Sequence, residues 1–383
     1  MFCRIAKIKT KINDLRYSTA VLLLAVMALS SCAFQMKPAK DDITGVSEWI
    51  IVPVFFATNR LPDQTTAAVD FNEDSNGQEL TFGVKSVAVP VPLLTPLEQE
   101  TVDRMAWKRL QTAPAEKAEL PTVKPEKLKI PDRVVPVQEV VQEFAKYKSA
   151  SKSSRSILFL HGCCATFDTS IARAAKLAVH TQMPVLLFDW VSPKGFKRYL
   201  ENETRVHQTL DSFYRFLDRI DSFGRPEELI LLGHSMGGQF LDQAMVRRFA
   251  VSSHGHSLPR YNTLIMSNAD VDARSFLNHA QEFSANGQKC LFFVSHDDDR
   301  LHASSIAHGG FSRLGAPGTL LSDLAKLEAK QVIDITAAGT GHELPFWVIA
   351  NMLKFGNLGP VNSFRLEEKK NGYLQLESTT AQP

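Results

Sequence analysis

Short runs of consecutive apolar residues recur through the second half of the chain, each followed by a stretch with helical spacing. Ile157-Leu158-Phe159-Leu160 opens the series, residues 184–190, 229–232, 263–267 and 290–294 continue it, and a more polar last strand at 331–336 ends it. Helices are predicted between them over 169–179, 196–220, 236–249, 273–283 and 344–355, with a short one starting near Leu301. A strand that is apolar at every position has no face to give to water. Such strands belong to a mostly parallel sheet with helices packed on both faces, an α/β architecture. Residues 48–58 and 80–89 predict two more strands ahead of the series, separated by a polar stretch, 61–78, rich in Asp and Asn and containing Gly77.

The pattern breaks between 91 and 155. Pro92, Pro96, Pro114, Pro121, Pro125, Pro131 and Pro136 punctuate that stretch, Lys and Glu are frequent, and a Ser-rich tract at 149–154 closes it. The composition reads as a surface insertion or cap with short helices at 97–110 and 136–147, or as a linker. The expected division is a leader at 1–31, a tether at 32–47, N-terminal strands of the main domain at 48–90, the Pro-rich insertion at 91–155, the α/β core at 156–357 and a polar tail at 358–383.

The formal net charge of +2 misdescribes the domain. Its positive excess lies in Arg4, Lys7, Lys9, Lys11 and Arg16, and the rest is slightly acidic. Nothing in that balance points to nucleic acid as a partner. The basic segment leads into an apolar run, residues 20–29, too short to span a bilayer comfortably but suited to a signal peptide. Leu29-Ser30-Ser31-Cys32 resembles the bacterial lipobox, whose cysteine becomes the lipidated N-terminus. Ala33, rather than Asp, follows Cys32, which that resemblance ties to the outer membrane. The expectation is a lipid-anchored, periplasm-facing protein of the bacterial cell envelope. An ordinary secretory signal or an uncleaved anchor is the alternative. Of five cysteines, Cys3 falls in the leader and Cys32 in the lipobox. Cys163, Cys164 and Cys290 remain, an odd number that makes no disulfide framework; the adjacent Cys163 and Cys164 could form a strained vicinal bridge, or all three are packing residues or free thiols. No C-x-x-C or H-E-x-x-H spacing suggests zinc.

Gly233-His234-Ser235-Met236-Gly237 carries the chemistry. It follows an apolar strand and precedes a helix, the context in which G-x-S-x-G makes a nucleophile elbow. Serine needs a base, itself oriented by a third group. His342, in the Gly-rich loop after the last predicted strand, is the candidate base. The strand ending at Val294 runs into Asp297-Asp298-Asp299, and the spacing to Leu301 favours Asp298 as the acid. Asp297 and Asp299 stay open, as do Asp270 and Asp272 after the preceding strand. The Met236 amide, and the Cys163 amide beyond Gly162, are the candidate oxyanion donors. A cysteine nucleophile at Cys163 or Cys164 lacks a matching base. Trp190 reads either as packing or as a pocket wall.

These residues together resemble a bacterial alpha/beta-hydrolase family of unknown function. The similarity runs through Phe56-Ala57-Thr58-Asn59-Arg60, Phe82-Gly83, Val89-Pro90, His161-Gly162, residues 173–178, Phe188-Asp189-Trp190, the Ser235 elbow, Ala269-Asp270-Val271-Asp272, Asp298 with Leu301 and Ser304, Arg313-Leu314-Gly315, and His342. The chain departs from the family in having Cys163-Cys164 where H-G-F-N is usual, and in a more acidic loop at 297–299. The resemblance implies a serine hydrolase of alpha/beta-hydrolase fold and supplies no substrate; the constellation itself suggests a serine hydrolase that needs no cofactor. The substrate expected is a small-molecule or lipid ester, thioester or amide. A non-catalytic binding or assembly lipoprotein is the alternative, and a perhydrolase using the same triad is a weaker one.

Overall fold

The computed structural model describes residues 49–63, 69–75, 77, 79–90, 133–151, 153–193, 198–220, 229–252, 261, 263–280, 289–327, 330–359 and 364–379. The leader with Cys3, the lipobox cysteine Cys32, the tether and the helix expected over 97–110 lie outside the described residues.

The strands are β1 (Trp49–Thr58), β2 (Arg60–Pro62), β3 (Phe71–Ser75), β4 (Thr81–Pro90), β5 (Arg133–Val134), β6 (Ser156–Leu160), β7 (Val185–Asp189), β8 (Leu229–His234), β9 (Thr263–Ser267), β10 (Lys289–Val294), β11 (Lys330–Asp334), β12 (Phe364–Glu368) and β13 (Leu374–Ser378). The helices are α1 (Val137–Ser151), α2 (Phe167–Thr181), α3 (Tyr199–Ile220), α4 (Gly237–Ser252), α5 (Ala273–His279), α6 (Asp299–Ala307), α7 (Leu321–Ala325) and α8 (Phe346–Phe355).

One sheet carries the strands in the order β12-β13-β11-β10-β9-β8-β6-β7-β1-β4-β5. Pairing is parallel from β13 to β1 and antiparallel at the two ends. The predicted mostly parallel sheet is therefore present, and the fold is that of an alpha/beta hydrolase. Each buried strand divides its side chains between two cores. Leu158 and Leu160 of β6 face a cluster containing Phe144 of α1, Phe213 and Phe216 of α3 and Phe240 of α4. Ile157 and Phe159 face the opposite cluster, with Ile171 and Ala175 of α2 and Trp347 and Ile349 of α8. Both faces are covered, so every residue of β6, β7, β8 and β9 is buried. The parallel register aligns the carboxyl ends of these strands. Leu160 pairs with Gly233 and Phe188, His234 with Ser267, and Val294 with Asp334. Loops leaving those ends share one rim.

Three expectations are corrected. The polar stretch 61–78 contains a hairpin, β2 against β3, anchored by Phe71, whose ring meets Phe167 at 4.7 Å and Phe56 at 5.7 Å. The end of the expected insertion belongs to the core. β5 extends the sheet beside β4, and Val140, Phe144 and Tyr147 of α1 are buried against it, with Phe144 5.1 Å from Phe55. Residues 358–383 are not merely a tail. β12 and β13 form a hairpin, and β13 joins β11 in parallel at Ile333 and Leu374, burying Leu376. Smaller boundary shifts have local causes. The last predicted strand stops at Asp334, whose Oδ1 accepts from the Thr336 amide at 2.9 Å and turns the chain into a 3-10 helix, Thr336–Ala338.

Candidate active site

Ser235 stands between the end of β8 and the start of α4 with φ +53°, a left-handed conformation rare outside glycine. Three backbone bonds hold it there. Its amide donates to Ser267 O at 3.1 Å, and its carbonyl accepts from the Gly238 and Asp270 amides, each at 3.0 Å. The glycine spacing has a steric cause. A Cβ on Gly233 would lie 2.8 Å from Gly237 O, and one on Gly237 would strike the Leu160 carbonyl. A Cβ on Gly162 would come within 2.7 Å of Ser235 Cβ, so the loop after β6 passes directly beside this serine.

His342 Nε2 lies 3.0 Å from Ser235 Oγ, and its Nδ1 lies 2.8 and 2.9 Å from the two oxygens of Asp298. The three side chains come from loops after β8, β10 and β11, which the sheet register brings together. Asp298 also caps α6, its Oδ1 accepting from the Leu301 amide at 3.0 Å. That is the physical content of the Asp298-to-Leu301 spacing. Burial would raise the Asp298 carboxyl, but nearby His342 and hydrogen bonds from His342, Asn268 and Leu301 outweigh it and set it below the usual carboxylate range. Its neighbours are placed differently. Asp297 and Asp299 are exposed, and Asp272 caps α5 through the Ser275 amide.

A match to the family model described as "alpha/beta hydrolase of unknown function (DUF900)" spans residues 137–347, which include the elbow, Asp298 and His342. The chain belongs to this family. No curated protein matches it in sequence. Among solved structures, similar ones include an esterase from Pyrobaculum calidifontis (13% identity, 48% of this chain and 66% of that one, TM-score 0.30). A hormone-sensitive lipase from a metagenome library (18%, 43% and 64%, 0.27) and a bacterial heroin esterase (10%, 41% and 63%, 0.25) are others. The chain thus spans under two thirds of each of these neighbours.

In this DUF900 chain two residues outside the Ser235, His342 and Asp298 group hold the acid and base loops. Asn268, at φ +47°, donates both amide hydrogens, to Asp298 Oδ2 and to Gly341 O, each at 2.9 Å. His234 Nε2 donates to the His342 carbonyl at 2.8 Å. Burial, with His342 and Arg173 nearby, pushes His234 well below the ordinary histidine value, so it is a neutral strut. The sequence signals are slight: an Asn just past a strand end, and a His beside the serine in the elbow motif.

The Phe56-Ala57-Thr58-Asn59-Arg60 motif proves to be a bracket under the Gly162 loop. Arg60 is fully buried, with Nε 2.8 Å from Asp189 Oδ2 and Nη2 donating to Ala165 O at 2.8 Å and Trp190 O at 2.7 Å. Thr58 and Ser170 each donate to Asp189 at 2.6 Å, and Asn59 accepts from the Val191 amide. Burial opposes ionisation of Asp189, but Arg60 and the Ser170 hydrogen bond outweigh it and hold the carboxyl far below the usual range. Trp190 is not a pocket wall. It is fully buried, stacks on His161 at 5.4 Å, and donates from Nε1 to His161 O at 3.0 Å.

Asp270 has a different set of partners from Asp298. Arg313 Nε lies 2.6 Å from its Oδ1, Ser304 donates to it at 2.7 Å, and Tyr199 OH donates to its other oxygen. Burial first, then Asp270, raises the Tyr199 hydroxyl well above its ordinary value, so it stays a donor. Arg313 also bonds Asp270 O at 2.9 Å, tying the loop 313–316 to the chain just past β9. Among the described residues no helix is long and apolar enough to cross a membrane, and no three His, Cys, Asp or Glu residues are grouped to hold a metal ion.

Proposed function

We propose that this protein is a serine hydrolase of carboxylic esters, with Ser235 as nucleophile, His342 as general base and acid, and Asp298 as the group that orients the imidazole. The observation that carries this reading is the continuous chain from Ser235 Oγ through His342 to the buried Asp298. In the first step Ser235 attacks the carbonyl carbon while His342 Nε2 takes its proton. Asp298 steadies the imidazolium that results. Charge gathers on the carbonyl oxygen, where the Met236 amide at the start of α4 and the Cys163 amide beyond Gly162 act as donors. His342 then returns the proton to the leaving alcohol, and a water repeats the cycle on the acyl-enzyme. Thioesters and amides are open to the same chemistry at different rates.

The test is labelling with a fluorophosphonate together with p-nitrophenyl esters of graded chain length. Labelling and turnover are expected in the wild type and lost in Ser235→Ala. A folded wild type that neither labels nor hydrolyses any ester overturns the proposal in favour of a binding protein. The address is also proposed: lipidation at Cys32 anchors the domain in the bacterial envelope, facing the periplasm from the outer membrane. Palmitate incorporation that survives Cys32→Ala contradicts it.

A further inference from the structure

We propose that Cys163 and Cys164 form an oxidisable dithiol, and that closing it to a disulfide shuts down the oxyanion side of the Ser235 site. The effect on turnover rests on the serine-hydrolase reading; the thiol chemistry does not. The two residues form the turn after β6, one step beyond the glycine that presses on Ser235. Their Sγ atoms lie 2.9 Å apart and both residues are half-buried, so each thiol is within reach of the other and of solvent. Cys290, by contrast, is buried inside β10.

Closing this pair deforms the turn. Adjacent Cα atoms are about 3.8 Å apart across a trans peptide, and a disulfide ordinarily spans about 4.4–6.8 Å. The deformation has little room to spread. On one side His161 O accepts from Trp190 Nε1 at 3.0 Å, and His161 Nε2 from the Trp190 amide at 3.1 Å. On the other, Ala165 O is held by Arg60 at 2.8 Å, and the Cys164 amide by Ser192 Oγ at 2.5 Å. Cys164 already sits at φ +64°. The change therefore falls on residues 162–164, where the Cys163 amide would meet the oxyanion. A strained bridge is also the readily reduced kind, so the modification is reversible.

The step is a two-electron oxidation. Both thiols lose their protons and one electron each as the S–S bond forms. An oxidant of the disulfide or azo class takes them up, its S–S or N=N bond becoming two thiols or a hydrazine.

The full-length protein, reduced with dithiothreitol, is treated with the azo oxidant diamide, and the peptide carrying residues 163–164 is weighed. It is expected to lose two hydrogens. Ester turnover and fluorophosphonate labelling are expected to fall at least about tenfold, in line with loss of an oxyanion donor, and to return with dithiothreitol. Cys164→Ser is expected to keep the reduced rate and ignore diamide. The proposal is overturned if no bridge forms, if a bridge forms with turnover unchanged, or if Cys164→Ser is inhibited equally. If the bridge forms but reduced wild type never labels, the hydrolase reading falls with its switch, while the dithiol site is supported.

Discussion

Two buried aspartates flank Ser235, and they differ in what faces them. Asp298 meets the His342 imidazole, an Asn268 amide and a helix N-terminus. Asp270 meets the Arg313 guanidinium and two hydroxyls. A guanidinium never gives up its proton, so the Asp270 pair is a fixed brace. An imidazole can both take up and return a proton, so the Asp298 pair can respond to a reaction. The same carboxylate is thus suited to catalysis on one side of the elbow and to architecture on the other.

The largest expected effects separate these two sides. Ser235→Ala or His342→Ala should lower kcat by about 10⁴-fold or more with the fold intact, checked by turnover and circular dichroism. Asp298→Asn should cost about 10⁴-fold, whereas Asp270→Asn should retain a measurable kcat in whatever fraction folds. Equal losses of kcat in the two folded variants would break the comparison.

Next comes stability. Removing one partner of a buried pair leaves a charge unpaired, so Arg313→Met and Arg60→Met should each destabilise by about 3–5 kcal/mol in denaturant titration. The pH dependence has a definite sign. The folded carboxyls of Asp298 and Asp189 lie below their unfolded values, so their contribution is complete above about pH 4 and is lost as pH falls through the lowered values. Asp189→Asn should flatten that acid limb.

Asn268→Ala tests the middle of the scale. It should reduce kcat by about ten- to a hundredfold through a looser His342 loop, with KM nearly unchanged. Asp298, losing a donor, should titrate higher, so the acid limb of the stability profile should move upward. An unshifted limb would reduce Asn268 to packing. The smallest effect belongs to His308, whose bond to Glu203 at 2.8 Å raises its pKa. Its contribution is complete below the unfolded value of about 6.5 and fades as pH rises through the raised one. His308→Gln should remove a stability difference of about 0–1 kcal/mol between pH 5.5 and 8.5.

Much of the frame was legible because buried strands announce themselves. The apolar run at 263–267 coincides with β9, and Ser235, Asp298 and His342 fall on loops after strands whose order could be read. The misses share a cause. Phe364-Arg365-Leu366 and Leu374-Gln375-Leu376 alternate weakly at a half-exposed edge, so the hairpin read as tail. α1 is charged on its outer side and resembled a surface insertion until Phe144 was seen against Phe55. Arg60 stood out as part of a motif, yet nothing nearby in sequence named Asp189, 129 residues away, as its partner.

What the chain determines by itself is the set of local structures: buried strands, helix caps, and a glycine-flanked turn that lifts a serine out of the backbone. These depend on neighbours a few residues apart, so composition and spacing encode them. What the tertiary structure decided is which charges meet. Asp298 stands 44 residues from His342, and Ser235 stands 107 from it. The parallel register of the strands, set by burial on two faces, brings these loops to one rim and gives one aspartate an imidazole and the other a guanidinium.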